Sequence, residues 1–254
     1  MKQRSTILSS RAWGIALAIT CFALALSPPA GLRADDGKDK FQVHPFVYDP
    51  ANTDLVQSGW LSGIGCPTAA NVATYPATKP TGTYTDPGCT TGDPKDRDVE
   101  GLLLAKTGPT SNNAAAGAQL KGLPKNLVLT ELGYDLRKPG VDQNDVRGSH
   151  CGAGAPRFNI TTSAGFFFLG CNSPPPTTTT PGIGWMRLRW GGSSPLMAYL
   201  NGVTLTTVTG TVRSIEIIFD EGQDTGPDNF GAAVLDNIDV NGVLVGHGPD
   251  DEGH

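Results

Sequence analysis

The chain has 254 residues, 38% of them hydrophobic and only 7% aromatic, with 33 glycines, 20 prolines and a formal charge of −5. An acidic chain of this kind is a poor candidate for nucleic acid, whose phosphates demand a basic surface. Its composition suits one β-sandwich with an elaboration better than a helical bundle.

Residues 1–34 read as a cleavable secretory signal. Lys2, Arg4 and Arg11 precede an apolar run from Trp13 to Leu26 that is shorter than the ~20 residues a membrane span needs. Ser27-Pro28-Pro29 then breaks any helix, and Ala34 offers a small residue at the cut. Thr20 before Cys21 is a poor lipoprotein signature, and no twin-arginine pair is present. Removing the leader leaves 15 basic and 24 acidic residues, a charge of −9, and makes cations the natural partners. No apolar tail follows to anchor the cleaved chain, so release in soluble form, to periplasm or medium, is expected.

Four cysteines remain: Cys66, Cys89, Cys151 and Cys171. An even count in an exported chain reads as two disulfides, with three pairings open. Cys66–Cys89 and Cys151–Cys171 are preferred because each closes a local loop of roughly 20 residues, worth about 3 kcal/mol. No CxxC and no histidine at ligand spacing supports zinc.

Residues 35–98 are dense in Pro, Thr and Gly and read as a loop-rich arm stapled by Cys66–Cys89, with Phe41–Tyr48 a short apolar stretch. The main domain, an all-β antiparallel sandwich of jelly-roll type, is expected over 99–246, followed by a disordered tail at 247–254. The candidate strands are Gly101–Lys106, Asn126–Leu136, Arg157–Thr162, Gly165–Leu169, Ile183–Trp190, Leu196–Leu200, Val203–Val208, Val212–Phe219, Ala233–Val240 and Val243–Val245. Asn201-Gly202 and Asn241-Gly242 mark hairpins, because both residues tolerate positive φ; a third turns at Ser163-Ala164-Gly165. The one helix-prone window, Asn113–Leu120, is interrupted by Gly117. Ser173–Gly182 reads as a long surface loop.

Two acidic clusters and one strand are the candidate sites. Asp96, Asp98 and Glu100 alternate, so an extended chain would put them on one side. The second cluster runs from Asp220 through Asp224 to a strand bearing Asp236 and Asp239. Carboxylates gathered on loops and strand ends suit calcium, which takes six to eight oxygens; the alternative is a solvated acidic loop. On the strand ending at Trp190, alternation separates Met186, Leu188 and Trp190 from Trp185, Arg187 and Arg189. An exposed Trp185 beside two guanidiniums would stack a sugar and bond its hydroxyls; the alternative is a packed indole with both arginines paired to acids. GxSxG and HExxH are absent.

The run from Leu235 to Gly242 (LDNIDVNG) resembles the closing strand of jelly-roll modules in exported bacterial proteins, carbohydrate-binding modules among them. The resemblance implies a structural calcium joining first and last strands, at Asp98 or Glu100 and Asp236. The functional expectation is a secreted, non-catalytic binding protein for polysaccharide or a cell-surface component. A structural envelope protein and a glycan-active hydrolase are the alternatives.

Overall fold

The computed structural model describes residues 41–66, 92–93, 95–96, 98–106, 114–137, 151, 155–179, 185–220 and 231–249. The signal segment, Cys89, Asp224 and the last five residues of the tail lie outside these. The strands belong to one unit, Gly37–His254.

Among the described residues fourteen strands form two antiparallel sheets, the sandwich expected. In chain order they are β1 Gln42–Tyr48, β2 Val56–Leu61, β3 Gly101–Lys106, β4 Ala115–Lys121, β5 Glu131–Arg137, β6 Arg157–Thr162, β7 Gly165–Gly170 and β8 Thr177–Thr179. There follow β9 Met186–Gly191, β10 Met197–Leu200, β11 Thr204–Thr207, β12 Val212–Phe219, β13 Gly231–Val240 and β14 Val243–Val245. The first sheet runs β1-β4-β12-β6-β7-β10-β11; the second runs β2-β3-β13-β5-β9-β8, with β14 on β13. Their inner faces meet in one core containing Leu104, Ala118, Leu132, Tyr134, Phe158, Ile160, Leu188, Ile215, Ile217 and Leu235. Period-2 alternation places these residues: β12 reads Ser214-Ile215-Glu216-Ile217-Ile218-Phe219, with Ile215, Ile217 and Phe219 buried.

Two expectations are corrected. The helix-prone window is strand β4, the neighbour of both β1 and β12; its alanines and glycine let side chains of adjoining elements close over it, so tertiary packing overrides propensity. The arm supplies β1 and β2, an edge strand in each sheet, and Pro45, which lacks an N–H, is tolerated at such an edge. The Pro/Thr loop carries β8, paired with β9 from Thr177↔Arg189 to Thr179↔Arg187.

The turns follow the sequence more closely. Val240 pairs Val243 across Asn241-Gly242, whose φ values are 52° and 83°. Leu200 pairs Thr204, so the connection at Asn201-Gly202 holds three residues. Cys151 and Cys171 form a disulfide, with Cα atoms 5.3 Å apart. Cys66 is also disulfide-bonded.

Candidate functional site

The outer faces of the two sheets differ. That of the second sheet is covered: every residue of β13 is buried, and so is β5 from Leu132 to Arg137. Segments 62–66 and 246–248 and the described residues among 92–100 help cover it, joined by hydrogen bonds. Cys66 N–H donates to Asp236 Oδ2 at 2.7 Å, Asp93 N–H to Asn237 Oδ1 at 2.7 Å and Gly246 N–H to Asp93 Oδ2 at 3.2 Å. A small apolar cluster of Ile64, Cys66, Trp185 and Val234 seals it.

This cover decides the fate of the predicted sugar face. Trp185 is 1% exposed, with the Arg137 guanidinium 5.5 Å from its ring centre, so it is a packing residue and not a platform. Arg187 donates Nε and Nη2 to both oxygens of buried Asp135, each at 2.8 Å. Arg189 lies 2.9 Å from Asp239 Oδ2 and 3.4 Å from Asp135 Oδ1. The period-2 reading put the three side chains on the correct face, but loops from elsewhere cover that face.

The described members of the predicted carboxylate set are held in separate hydrogen-bonding arrangements. Val99 has φ 51°, which breaks the extended run, so Asp98 is exposed while Asp96 and Glu100 are partly buried. Asp96 Oδ1 accepts from Glu100 N–H at 2.9 Å, and Glu100 Oε2 from Gly248 N–H at 2.7 Å. Asp236 Oδ1 accepts from Asn237 N–H, so both its oxygens are committed to backbone N–H groups. Asp220 belongs to the other sheet. Among the described residues no group of three or more His, Cys, Asp or Glu side chains is arranged to hold a metal ion. Burial, joined by the charges of Asp96 and Asp135, pushes the Asp236 carboxyl well up. Burial also raises Asp96 to about 7, and its Oδ2 is buried without a hydrogen-bond partner.

The outer face of the first sheet is half-buried to exposed along its described strands and carries a groove that sequence reasoning missed. Register sets out a row across it: His44↔Gln119, Gln119↔Glu216, Glu216↔Asn159, Asn159↔Phe168 and Phe168↔Tyr199. Two depressions adjoin. One, of about 210 Å³, is lined by His44, Pro45, Phe46, Gln119, Lys121 and Glu216. The other, of about 500 Å³, is lined by Phe46, Tyr48, Arg157, Asn159, Glu216 and Asp220, among others. Phe46 and Glu216 touch both. From His44 to Tyr48 the groove follows β1 for about 13 Å, at ~3.3 Å per residue.

Gly117 makes room for the central ring. A Cβ there would lie 2.5 Å from Phe46 Cζ and 2.8 Å from Cε1, so the ring lies over the bare backbone of β4. Tyr48 is 53% exposed. The polar groups between are pre-set: Arg157 donates Nη1 and Nη2 to the two Asp220 oxygens, each at 2.6 Å, and Nε to Asn159 Oδ1 at 3.2 Å. Lys106 Nζ donates to the Asp220 carbonyl at 2.7 Å. Burial pulls the Asp220 carboxyl up, but hydrogen bonding and charge from Arg157 outweigh it, and the group sits below its ordinary range. Burial, helped by Lys121, lowers the His44 imidazole. The available sequence signal was the outward set of β1, Gln42-His44-Phe46-Tyr48, hidden in what reads as one apolar stretch.

No protein-family model and no curated protein matches the chain. Among solved structures it is similar to the family 11 carbohydrate-binding module of the cellulosomal cellulase Lic26A-Cel5E of Clostridium thermocellum. That similarity is 12% identity over 86% of this chain and 96% of the module, with a TM-score of 0.34. At that level it carries neither ligand nor site residues across. Among the described residues no helix is long and apolar enough to cross a membrane.

Proposed function

We propose that this chain is an exported, non-catalytic binding module that holds a polysaccharide chain along the outer face of its first sheet. The observation that supports this reading best is Phe46, an aromatic ring seated over a glycine between two adjoining depressions. A sugar ring offers one apolar face and a rim of hydroxyls. Phe46 and Tyr48 suit the first; Gln119, Asn159, Glu216 and the Arg157–Asp220 pair suit the second. Because Arg157 and Asp220 fix each other, their remaining lone pairs and N–H groups are oriented before ligand arrives, which limits the entropy lost on binding. The groove is lined by both charge signs, so a neutral glycan meets no uncompensated field.

Hydrolysis is less well served. A glycosidase of the usual kind needs two carboxyl groups flanking the scissile bond. Of the described carboxylates lining the groove, Asp220 is held by Arg157, leaving Glu216 alone. Calcium enters no part of this reading.

Affinity electrophoresis of the mature protein through a panel of soluble polysaccharides, with pull-down on insoluble ones, tests the proposal. Retardation by at least one glycan, abolished in Phe46→Ala, is the expected result. Association with purified cell envelope but with no glycan would favour a structural role. Release of reducing ends would favour a hydrolase.

A further inference from the structure

The two Asn-Gly hairpins have the same dipeptide and differ in how it is held. Asn241 is fixed on every side. Its Oδ1 accepts from Thr130 N–H at 2.8 Å, Thr130 Oγ1 at 3.1 Å and Glu131 N–H at 3.0 Å, and its Nδ2 donates to the Val128 carbonyl at 2.8 Å. The next amide, Gly242 N–H, donates to Asp239 Oδ1 at 2.8 Å. Asn201 is exposed, and among the described residues no hydrogen bond to its side-chain amide is found. Gly202 N–H has one long bond, 3.3 Å, to the Tyr199 carbonyl, near the limit of a useful interaction.

We infer that Asn201 is a site of spontaneous deamidation and that Asn241 is protected from it. Asparagine is among the thermolabile residues, and a following glycine, lacking Cβ, leaves the approach to the side-chain amide unhindered. The Gly202 nitrogen, losing its proton to base, attacks Asn201 Cγ. The Cγ–Nδ2 bond breaks, ammonia leaves, and a succinimide remains. Water then opens one of its two carbonyls, giving aspartate or isoaspartate, with no oxidation or reduction. At Asn241 the same path requires releasing the hydrogen bonds that hold both the amide and the attacking nitrogen.

The product would alter the rim of the first sheet. Isoaspartate routes the main chain through the former side chain and adds one methylene to a three-residue connection. The Val203 N–H bond to the Leu200 carbonyl, 3.1 Å, then loses its geometry. Phe168 faces this turn, with ring atoms 3.5 and 3.6 Å from where a Gly202 Cβ would sit, and Tyr199 pairs with it. A new carboxylate therefore forms one residue before Gly202, in the turn that Phe168 faces.

The test is incubation of the folded full chain at mildly alkaline pH, followed by tryptic mapping with enzymatic isoaspartate detection. The two sites fall in separate peptides, 190–213 and 214–254. Conversion in 190–213 is expected to be at least about tenfold faster than at Asn241, the factor imposed by releasing one or two net hydrogen bonds. In denaturant both sites should react at rates within about twofold, because the protection is structural. Asn201→Gln should abolish the signal in 190–213. The inference is overturned if, in folded protein, Asn241 reacts as fast as Asn201. It is equally overturned if neither reacts over a period in which the denatured chain loses both.

Discussion

Replacing Gly117 by Ala probes the groove through a residue that no ligand needs to touch. The added Cβ would fall 2.5 Å from Phe46 Cζ and 2.8 Å from the Ile217 carbonyl oxygen. Neither separation is tolerable, so the ring must swing off β4 and the backbone must also give where β4 meets the Ile217 carbonyl. Overpacking of this kind costs about 1–3 kcal/mol in stability. Its effect on binding should approach that of Phe46→Ala, which removes the ring. Burying a phenylalanine face against a ligand is worth about 1.5–3 kcal/mol, so Kd should rise roughly ten- to hundredfold. Titration calorimetry against whichever glycan the panel identifies, with Tm measured in parallel, provides both readouts. The decisive variant is the double mutant. If Gly117→Ala acts through the ring, it costs no further affinity once Phe46 is Ala, and the cycle is strongly non-additive. Additive losses would refute the idea that Gly117 positions the platform. Unchanged affinity in folded Phe46→Ala would remove the platform itself.

Asp96→Asn should stabilise the protein at pH 8 and not at pH 4. The folded carboxyl is raised to about 7, so its contribution is fully present below the unfolded pKa and is lost as pH rises through the folded one. With the group part-exposed, the gain is about 1–2 kcal/mol, and chelator should not alter it; a calcium-dependent Tm abolished by this change would reverse the assignment. Asp220→Asn works in the opposite sense, because the folded pKa is lowered. Its cost should appear above the unfolded pKa and vanish as pH falls through the folded value, and glycan affinity should drop as Arg157 is released. Trp185→Ala should cost about 3–5 kcal/mol by opening a buried cavity while the folded fraction binds glycan unchanged; lost affinity in a fully folded sample would restore the indole as a contact.

The sequence made some of this fold legible and hid the rest for physical reasons. Strands with strict alternation and firm boundaries, such as Val212–Phe219 and Arg157–Thr162, could be read directly. β4 could not, because Ala and Gly are chosen there for what packs over them, and local propensity then points the wrong way. Trp185, Arg187 and Arg189 illustrate a second limit. Alternation assigns a side chain to a face but does not report whether distant segments, here 62–66 and 246–248, come back to cover it. The groove was harder still. His44, Phe46, Gln119, Asn159 and Glu216 come from four strands whose order in the sheet is not their order in the chain, and no one of them is unusual in its own segment. The charged residues that attract attention in a linear reading, Asp96 and Asp236, serve to bind loops together.

The covered back of the second sheet also settles where a reporter can be placed. Gly246 and Gly248 are tied by their N–H groups to Asp93 and Glu100 on that side, so the chain at 246–249 runs over the face opposite the groove. A fluorophore or immobilising tag joined after residue 249 is therefore expected to leave the face bearing the proposed groove turned toward solvent, so that a sensor surface built that way would present the protein in one orientation.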